Sequence, residues 1–269
     1  MSPNEPIRVV VVGAVGRVGR EVVRTIVAQE DMKLVGAVDQ AMIGKDAGLV
    51  AGLEPLDLPI SGDLDGVFKE VHPHVFVDFT TPLTIMSNIT AAARHGISGV
   101  IGTTGLTTDN LEEIRRMAAN GGTNFLVAPN FALGAILMMR FAKEAAAYLP
   151  NVEIIELHHD QKMDAPSGTA IKTAEMIAEG RRSAPPVLPQ TIEKVKGSRG
   201  GEIDSIHIHS IRLPGLVAHQ EVIFGGQGQT LSIRHDSMSR ESFMPGVLLG
   251  IRKVLNRPGL TYGLEHFLD

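Results

Sequence analysis

The chain has 269 residues, 43% of them hydrophobic, and a net charge of −5 with acidic and basic residues interspersed. This length is enough for two domains with cores of their own, and the lack of a basic face argues against nucleic acid or a charged membrane as partner. Cysteine is absent, which excludes disulfides, thiolate nucleophiles and Cys-ligated metal centres. Residues 1–6 are polar and glycine interrupts the apolar run after them, so we expect a cytoplasmic protein that binds a small molecule.

Short β-rich runs alternate with helical patterns from the start of the chain to about Phe131. Apolar residues at helical spacing predict a helix over Gly16–Gln29, and another is expected over Asn110–Ala119 with Asp109 as its cap. The runs that predict strands are Ile7–Val12, Leu34–Val38, Val75–Phe79, Gly99–Ile101 and Phe125–Val127. This alternation predicts an α/β domain with a Rossmann-type, doubly wound parallel sheet.

Residues 132–239 show a different pattern. An apolar run at Val152–Leu157 predicts a strand, followed by a helix that opens near Ser167 and a Pro/Gly-rich loop over 181–201. Three later runs predict further strands, the last two joined as a hairpin by residues 225–229: Ile203–Leu213, His219–Phe224 and Thr230–His235. We therefore expect a second, α+β domain over 132–239, with a mainly antiparallel or mixed open sheet. A final helix from Phe243 to Leu255 is expected to pack back on the first domain, which then comprises 1–131 and 240–269.

A glycine-rich turn, Gly13-Ala14-Val15-Gly16-Arg17-Val18-Gly19, joins the first strand to the first helix. Glycine lets the backbone turn tightly and approach a pyrophosphate, which the free N–H groups of the helix N-terminus stabilise. Asp39 ends the second strand, where a carboxylate can hydrogen-bond an adenosine ribose. An ordinary tight turn explains the glycines but not this combination, which predicts dinucleotide binding. Asp39 favours NAD by repelling a 2′-phosphate, while Arg17 and Lys45 could offset its charge, so both NADH and NADPH stay open.

Three further strand ends carry small or polar residues. They are Asp78–Pro82, Gly102–Gly105 and Ala128–Phe131. Each one alone is typical of a turn. Because the carboxyl ends of parallel strands meet at one edge of the sheet, the three together predict the lining of a nicotinamide and its ribose.

The strongest indication of chemistry follows the strand Val152–Leu157, where His158, His159 and Lys162 precede Ser167-Gly168-Thr169. A reduction needs a general acid that gives a proton to the atom on which negative charge accumulates, and either histidine could supply it. Lys162 could repel a protonated histidine or hold an anionic substrate, and a helix N-terminus suits a carboxylate. We expect an acidic substrate. A purely structural role for these residues does not explain why they cluster.

His207 and His209 lie two apart in a predicted strand and could in principle bind a metal. No third ligand is near them in the sequence, so a solvated or interface face is the better interpretation. We predict no metal site.

Taken together, these motifs resemble the dihydrodipicolinate reductase family over nearly the whole chain. The longest match is His158-His159-Asp160-Gln161-Lys162-Met163-Asp164-Ala165-Pro166-Ser167-Gly168-Thr169, and the segment Leu231–His235 with Ser239-Arg240 resembles the same family. The resemblance implies NADH- or NADPH-dependent reduction of 4-hydroxy-tetrahydrodipicolinate, a small dicarboxylate, to tetrahydrodipicolinate in diaminopimelate and lysine biosynthesis. It also implies a homotetramer assembled through the sheets of the second domain.

The resemblance also assigns roles to residues of this chain. His158 would be the proton donor and Lys162 the second catalytic group, while the substrate would be held by His159, Ser167, Gly168 and Thr169. The implied cofactor contacts are Gly13, Ala14, Val15, Gly16, Arg17, Val18, Asp39, Phe79, Gly102, Thr103, Thr104, Ala128, Pro129, Asn130 and Phe131. The chain departs from the family pattern at Val18, often methionine, at Pro129, often alanine, and at Arg234, which replaces a threonine.

We expect the two domains to close on hinges near Phe131 and Arg240, which would exclude water from the hydride transfer. Residues 158 and 162 are expected to face the dinucleotide across one cleft. Two other functions are compatible with parts of the sequence. One is a different two-domain dehydrogenase that acts on a sugar or an amino-acid semialdehyde. The other is a sensor or scaffold that binds NAD(P)H without turnover, in which case the His-His-Lys loop would be idle.

Overall fold

The structure of the protein is a computed structural model, in which residues 5–183 and 192–268 are described. Its backbone contacts group into two compact units, Met1–Phe131 with Phe243–Asp269 and Ala132–Ser242. Residues 184–191, in the middle of the expected Pro/Gly-rich loop, lie outside the described residues. No helix within the described ranges has both the length and the apolar character needed to cross a membrane.

The first unit begins with alternating strands and helices. In chain order these are β1 (Ile7–Val12), α1 (Arg17–Val27), β2 (Met32–Val38), α2 (Ala47–Ala51), α3 (Leu64–Val71), β3 (Val75–Asp78), α4 (Ile85–Arg94), β4 (Ser98–Ile101), α5 (Thr108–Gly121) and β5 (Asn124–Val127).

The second unit follows, and the chain then returns to the first. The elements of the second unit are α6 (Leu133–Ala146), β6 (Asn151–His158), α7 (Gly168–Gly180), β7 (Gly201–Ile203), β8 (Ile206–Arg212), β9 (Ala218–Gly226) and β10 (Gln229–Ser237). A 3-10 turn at Arg240–Phe243 leads to α8 (Met244–Val254), β11 (Gly259–Tyr262) and a second 3-10 turn at Leu264–Phe267.

The sheet of the first unit has six strands in the order β11-β5-β4-β3-β1-β2, and every pair in it is parallel. Its central strands are continuous apolar runs, as expected of a parallel sheet covered on both faces. Part of the core is aromatic, with the rings of Phe68 and Phe76 packed edge to face at 5.9 Å. This confirms the predicted Rossmann-type sheet, and β1 has β2 on one side and β3 on the other, so the strand order reverses there.

One predicted helix cap in this unit is wrong. α5 is capped by Thr107 and not by Asp109, which lies in the first turn. The hydroxyl of Thr107 accepts a hydrogen bond from the Asn110 backbone N–H at 3.2 Å, and the Asn110 side chain accepts one from the Thr107 N–H at 3.0 Å. This reciprocal pair satisfies two otherwise free backbone donors, so the helix starts earlier than predicted.

The sheet of the second unit has the order β10-β9-β6-β8-β7. β6 and β8 are parallel and the other pairs are antiparallel, which confirms the predicted mixed sheet. Alternate residues of β6, β8 and β9 are buried on one face, and the buried apolar ones are Val152, Ile154, Ile206, Ile208, Val222 and Phe224. α6 packs on this sheet through β9 and β10, and α7 through β6 and β7. The side chains that alternate with the buried ones stay partly exposed.

Two details of the second sheet differ from the sequence-based prediction. The single run predicted at Ile203–Leu213 is two antiparallel strands, because Asp204 and Ser205 adopt positive φ values of 49° and 59° and turn the chain. The predicted hairpin between β9 and β10 is present, but the strands extend to Gly226 and Gln229. The connecting loop is therefore shorter than residues 225–229.

Candidate active site

The residues predicted to contact a dinucleotide lie at the carboxyl edge of the first sheet. Phe79 follows β3 and donates its backbone N–H to the Val12 carbonyl at 3.1 Å, while Ala128 follows β5 and donates to the Ile101 carbonyl at 2.9 Å. These contacts bring neighbouring strand ends together, and ligands of open α/β sheets bind in the crevice outside such ends.

The glycine turn has no room for side chains at two positions. Gly13 has a φ of +81°, and a Cβ there would lie 2.6 Å from the Phe79 carbonyl oxygen. A Cβ on Gly19 would lie 1.9 Å from the carbonyl oxygen of Gly13. The turn is therefore as tight as its sequence predicts, and α1 starts with Gly16 as an N-cap that makes no side-chain hydrogen bond. Without a side-chain cap, the first N–H groups of α1 are available to an anion.

The carboxylate of Asp39, which follows the adjacent strand β2, hydrogen-bonds the backbone of the glycine turn. One of its carboxylate oxygens accepts the Val15 backbone N–H at 2.9 Å, and the other accepts the Ala41 N–H at 2.9 Å. Asp39 therefore fixes the backbone around its own carboxylate, in addition to the predicted ribose contact. Arg17 and Lys45, whose charges were expected to oppose that of Asp39, are exposed.

An aromatic pair lines the middle of the same edge. The rings of Phe79 and Phe131 are 5.6 Å apart. A Cβ on Gly102 would lie 2.1 Å from the Phe79 ring, so only glycine fits at this point. Thr103 is buried and Thr104 is exposed, as is Pro129, whereas Ala128 is buried and Asn130 half-buried.

Asp78, the first residue of the predicted lining segment Asp78–Pro82, is a buried acceptor at the centre of this edge. It is 0% exposed. It accepts hydrogen bonds from the Thr80 hydroxyl at 2.7 Å, the Thr103 hydroxyl at 2.7 Å and the Asn88 amide at 2.8 Å. Burial raises the pKa of the Asp78 carboxyl, against the lowering effect of these neutral donors. Asp78 therefore connects the loops after β3 and β4.

The second candidate region is the carboxyl end of β6, in the second unit. His158 is the last residue of the strand and is half-buried, and its Nδ1 forms a short hydrogen bond with Oε2 of Glu156. Glu156 is completely buried. It also accepts two hydrogen bonds from the Arg212 guanidinium, at 2.9 and 2.8 Å. His159 lies outside the strand and is exposed, so the two histidines have different environments.

The charges around Glu156 overcome the cost of its burial. Burial by itself would raise the pKa of Glu156, but hydrogen bonds from His158, Arg212 and Ser210 lower this pKa to about 2. Glu156 is thus a carboxylate at neutral pH and can only accept hydrogen bonds. It follows that Nδ1 of His158 carries a hydrogen and that Nε2 is the nitrogen free to exchange a proton.

Lys162 is held by the loop that contains it. Its backbone N–H donates to the His159 carbonyl at 3.2 Å, and its ammonium group contacts both carboxylate oxygens of Asp164 at 2.7 and 2.8 Å. Asp164 is 64% exposed on its side chain, so water screens this ion pair and the pair is weak. An anionic ligand could therefore compete with Asp164 for the ammonium group.

The α7 N-terminus closes this region. Ser167 is its N-cap and accepts the Ala170 N–H at 3.2 Å. A Cβ on Gly168 would meet no atom within 4 Å, so the backbone there is open to a ligand. The Thr169 carbonyl accepts the Thr173 hydroxyl, which in turn accepts the Gln220 amide of β9, both at 2.7 Å. The structure thus places the start of α7 against the same sheet that carries His158.

Comparison with known proteins tests these expectations. The family model "Dihydrodipicolinate reductase, N-terminus" matches residues 7–131, and "Dihydrodipicolinate reductase, C-terminus" matches residues 134–268. The chain belongs to the dihydrodipicolinate reductase family. The resemblance found in the sequence is thereby confirmed over both units.

Individual members of the family are similar over their whole length. The 4-hydroxy-tetrahydrodipicolinate reductase of Desulfitobacterium hafniense is 54% identical, covering 98% of this chain and 99% of its own. That of Syntrophomonas wolfei is 51% identical over 97% of this chain and 98% of its own. A solved structure, dipicolinate-bound dihydrodipicolinate reductase from Paenisporosarcina sp. TG-14, has a TM-score of 0.87 and 46% identity, covering 98% of this chain and 100% of that one.

Sequence reasoning missed the partners of His158. Glu156 has the same strand parity as the buried Val152 and Ile154, and Arg212 has the same parity as the buried Ile206 and Ile208. A charged residue on a buried face needs a counter-charge, so the alternation of buried residues in the two strands indicated that Glu156 and Arg212 each need a charged partner. The register that joins them, with His158 opposite Arg212, is visible only in the structure.

His207 and His209 lie on the partly exposed face. His209 Nε2 contacts Glu153 at 2.8 Å. Among the described residues, no group of three or more His, Asp or Glu side chains could hold a metal ion.

Proposed function

We infer that this protein catalyses the NADH- or NADPH-dependent reduction of 4-hydroxy-tetrahydrodipicolinate to tetrahydrodipicolinate, a step of diaminopimelate and lysine biosynthesis. The observation that carries this conclusion is the match of both units to the dihydrodipicolinate reductase family. Curated relatives at 50–54% identity bear the name of this activity. The protein is thus an oxidoreductase.

The first unit fits a dinucleotide. The tight glycine turn, in which side chains at Gly13 and Gly19 would clash with the backbone, and the start of α1 without a side-chain cap suit a pyrophosphate, and Asp39 suits a ribose. The residues we propose as cofactor contacts are Gly13, Ala14, Val15, Gly16, Arg17, Val18, Asp39, Phe79, Gly102, Thr103, Thr104, Ala128, Pro129, Asn130 and Phe131. The bound nicotinamide supplies the hydride for the reduction.

The second unit supplies groups that recognise a dicarboxylate and move a proton. We propose that Lys162 and the α7 N-terminus, through Ser167, Gly168 and Thr169, bind carboxylates, with His159 as a further contact. The relative from Paenisporosarcina sp. TG-14 was solved with dipicolinate bound, a planar dicarboxylate, which supports this choice. Nε2 of His158, the ring nitrogen not facing Glu156, then donates the proton.

The roles of the two units, the subunit assembly and the domain closure are also proposals. We propose that residues 1–131 with 240–269 bind the cofactor and that 132–239 bind the substrate and form a homotetramer in the cytoplasm. The tetramer proposal is supported by the half-buried apolar side chains on the less covered face of the second sheet, such as Ile155, Leu157 and Ile223. Native mass measured in solution tests it. Closure on hinges near Phe131 and Arg240 stays a prediction.

Kinetics with both cofactors and the unstable cyclic substrate, generated in the cuvette, test the function. We expect oxidation of NADH or NADPH that depends on this substrate and competitive inhibition by dipicolinate. Turnover of a sugar or a semialdehyde in its place would contradict the proposal, as would cofactor binding without turnover.

Replacement of His158 by Gln tests its role. We expect turnover to fall by about 10²- to 10⁴-fold, the usual contribution of a general acid, with cofactor affinity nearly unchanged. His207→Gln, in the neighbouring strand on the opposite face, is the control and should keep wild-type turnover. Wild-type turnover of His158→Gln would refute the assignment of His158 as proton donor.

A further inference from the structure

We propose that the buried Glu156 and the half-buried Arg212 form a positioning pair that orients the His158 imidazole and anchors the loop of Lys162. This inference rests on the proposed function, because it concerns the two groups assigned there to catalysis. Glu156 and Arg212 are positioning residues in this proposal, since they act through His158 and the loop.

The first part of the argument is the contact between Glu156 and the imidazole. Glu156 is 0% exposed and has no access to water, so its oxygens must be satisfied by the protein. They are satisfied by His158 Nδ1, by the two terminal nitrogens of Arg212 and by Ser210. A carboxylate behind one ring nitrogen fixes the tautomer and orientation of a histidine, and it stabilises the protonated ring.

The second part of the argument is the set of further hydrogen bonds around Arg212. One of its terminal nitrogens also donates to the backbone carbonyl of Asp164 at 2.8 Å. In addition, the Leu213 N–H donates to the His158 carbonyl at 3.1 Å. A single guanidinium therefore ties the end of β8 to the carboxylate behind His158 and to the loop that follows Lys162. Displacement of Arg212 would loosen both proposed catalytic groups at once.

The third part is a contrast within the same strand. Glu153 also accepts hydrogen bonds from one arginine and one histidine, namely Arg199 and His209. It lies on the opposite face of β6 from His158, where its side chain is 36% exposed. The chain therefore offers a matched control, in which the same chemistry is present without the neighbouring catalytic groups.

The experiment compares Glu156→Gln with Glu153→Gln in the full-length protein. Glu156→Gln is expected to lower kcat about 100-fold with an unchanged KM for the cofactor, because the imidazole loses the carboxylate that orients it. Glu156→Asp, which keeps the charge, should restore part of kcat. Glu153→Gln should stay within about twofold of wild type at the same native mass.

Nitrogen NMR of the His158 ring gives a readout that does not depend on turnover. We expect the neutral ring to carry its hydrogen on Nδ1 in the wild type and to populate both tautomers in Glu156→Gln. Since this variant removes the carboxylate partner of the partly buried Arg212 guanidinium, folding is checked by circular dichroism. If it is unfolded, the double variant Glu156→Gln/Arg212→Met removes the unpaired charge and should fold but stay slow.

The outcomes separate the two proposals. Wild-type kcat and a wild-type His158 tautomer in folded Glu156→Gln would overturn the positioning pair, and so would an equal loss of kcat in Glu153→Gln. Absence of turnover in the wild-type protein would instead overturn the proposed function, while the tautomer of His158 would still test the pair.

Discussion

Asp78 in the first unit and Glu156 in the second are both fully buried carboxylates near the carboxyl ends of strands. Asp78 is held by hydroxyl, amide and backbone donors, all neutral, and burial raises its pKa. Glu156 is held by Arg212 and His158, and although burial acts in the same direction, these partners lower its pKa to about 2. The charged partners of Glu156 outweigh the effect of its burial on the pKa, whereas the neutral donors around Asp78 do not.

This difference matches the proposed division of labour. In the proposed cofactor site, Asp78 fixes the hydroxyl groups of Thr80 and Thr103 through neutral hydrogen bonds. In the proposed substrate site, the Glu156 carboxylate instead orients the His158 imidazole as a proton donor. Four predictions test how far the contrast holds.

Replacement of Arg212 by Met should have the largest effect on stability. It leaves the Glu156 carboxylate buried with His158 as its remaining ionic partner, so we expect the free energy of unfolding to fall by about 3–5 kcal/mol at neutral pH. Urea unfolding of the full chain measures this. The control is Arg199→Met, since Arg199 pairs with the partly exposed Glu153, and it should cost about 0–1 kcal/mol. Equal losses in the two variants would show that burial of the Glu156 pair does not matter.

The pH dependence of stability should also identify Glu156. Its pKa is lowered on folding from 4.5 to about 2, so its contribution is complete above pH 4.5 and is lost as the pH falls through about 2. The shift corresponds to about 3 kcal/mol. Wild type should therefore lose more stability between these pH values than Glu156→Gln, as measured by urea unfolding at a series of pH values. Parallel curves for the two proteins would argue against a depressed pKa.

Asp78→Asn should show the opposite dependence. Because the pKa of Asp78 is raised on folding, its contribution is complete below the unfolded value of 3.8 and declines as the pH rises through the folded value. The variant stays neutral and is expected to cost about 1–3 kcal/mol, since an amide cannot accept from all the donors around it. The deficit should be larger at about pH 4 than at about pH 7, measured by the same unfolding series. A larger deficit at the higher pH would contradict this sign.

Those features of the two units that depend on local sequence pattern could be predicted from the sequence. The strands of the first sheet, the glycine turn and the His-His-Lys loop follow from apolar periodicity and from residue types at strand ends. The reciprocal pairing of Thr107 and Asn110 could have been recognised as well, but a competing cap candidate, Asp109, stands two residues away. The turn at Asp204–Ser205 was hidden, because positive φ is unusual for residues other than glycine.

The long-range pairs could not be predicted in the same way. Glu156 and Arg212 are 56 residues apart in the sequence, and Asp78 and Thr103 are 25 apart. Their contacts depend on strand order and register, which no local pattern specifies. Glu156 and Arg212 each lie on the same strand face as buried apolar residues, which indicates that each needs a charged partner. This pattern does not identify the partner.

The smallest expected effects concern two helix caps, Thr107 of α5 in the first unit and Ser167 of α7 in the second. Each hydroxyl accepts a backbone N–H at 3.2 Å, so Thr107→Ala and Ser167→Ala should each cost about 1 kcal/mol of stability. Only Ser167 lies in the proposed substrate site. Ser167→Ala should therefore also raise the KM for the dicarboxylate by about tenfold, equivalent to about 1.4 kcal/mol, while Thr107→Ala leaves it unchanged. Matching KM values in the two variants would restrict Ser167 to a structural cap and would leave Lys162, Gly168 and Thr169 as the proposed carboxylate contacts.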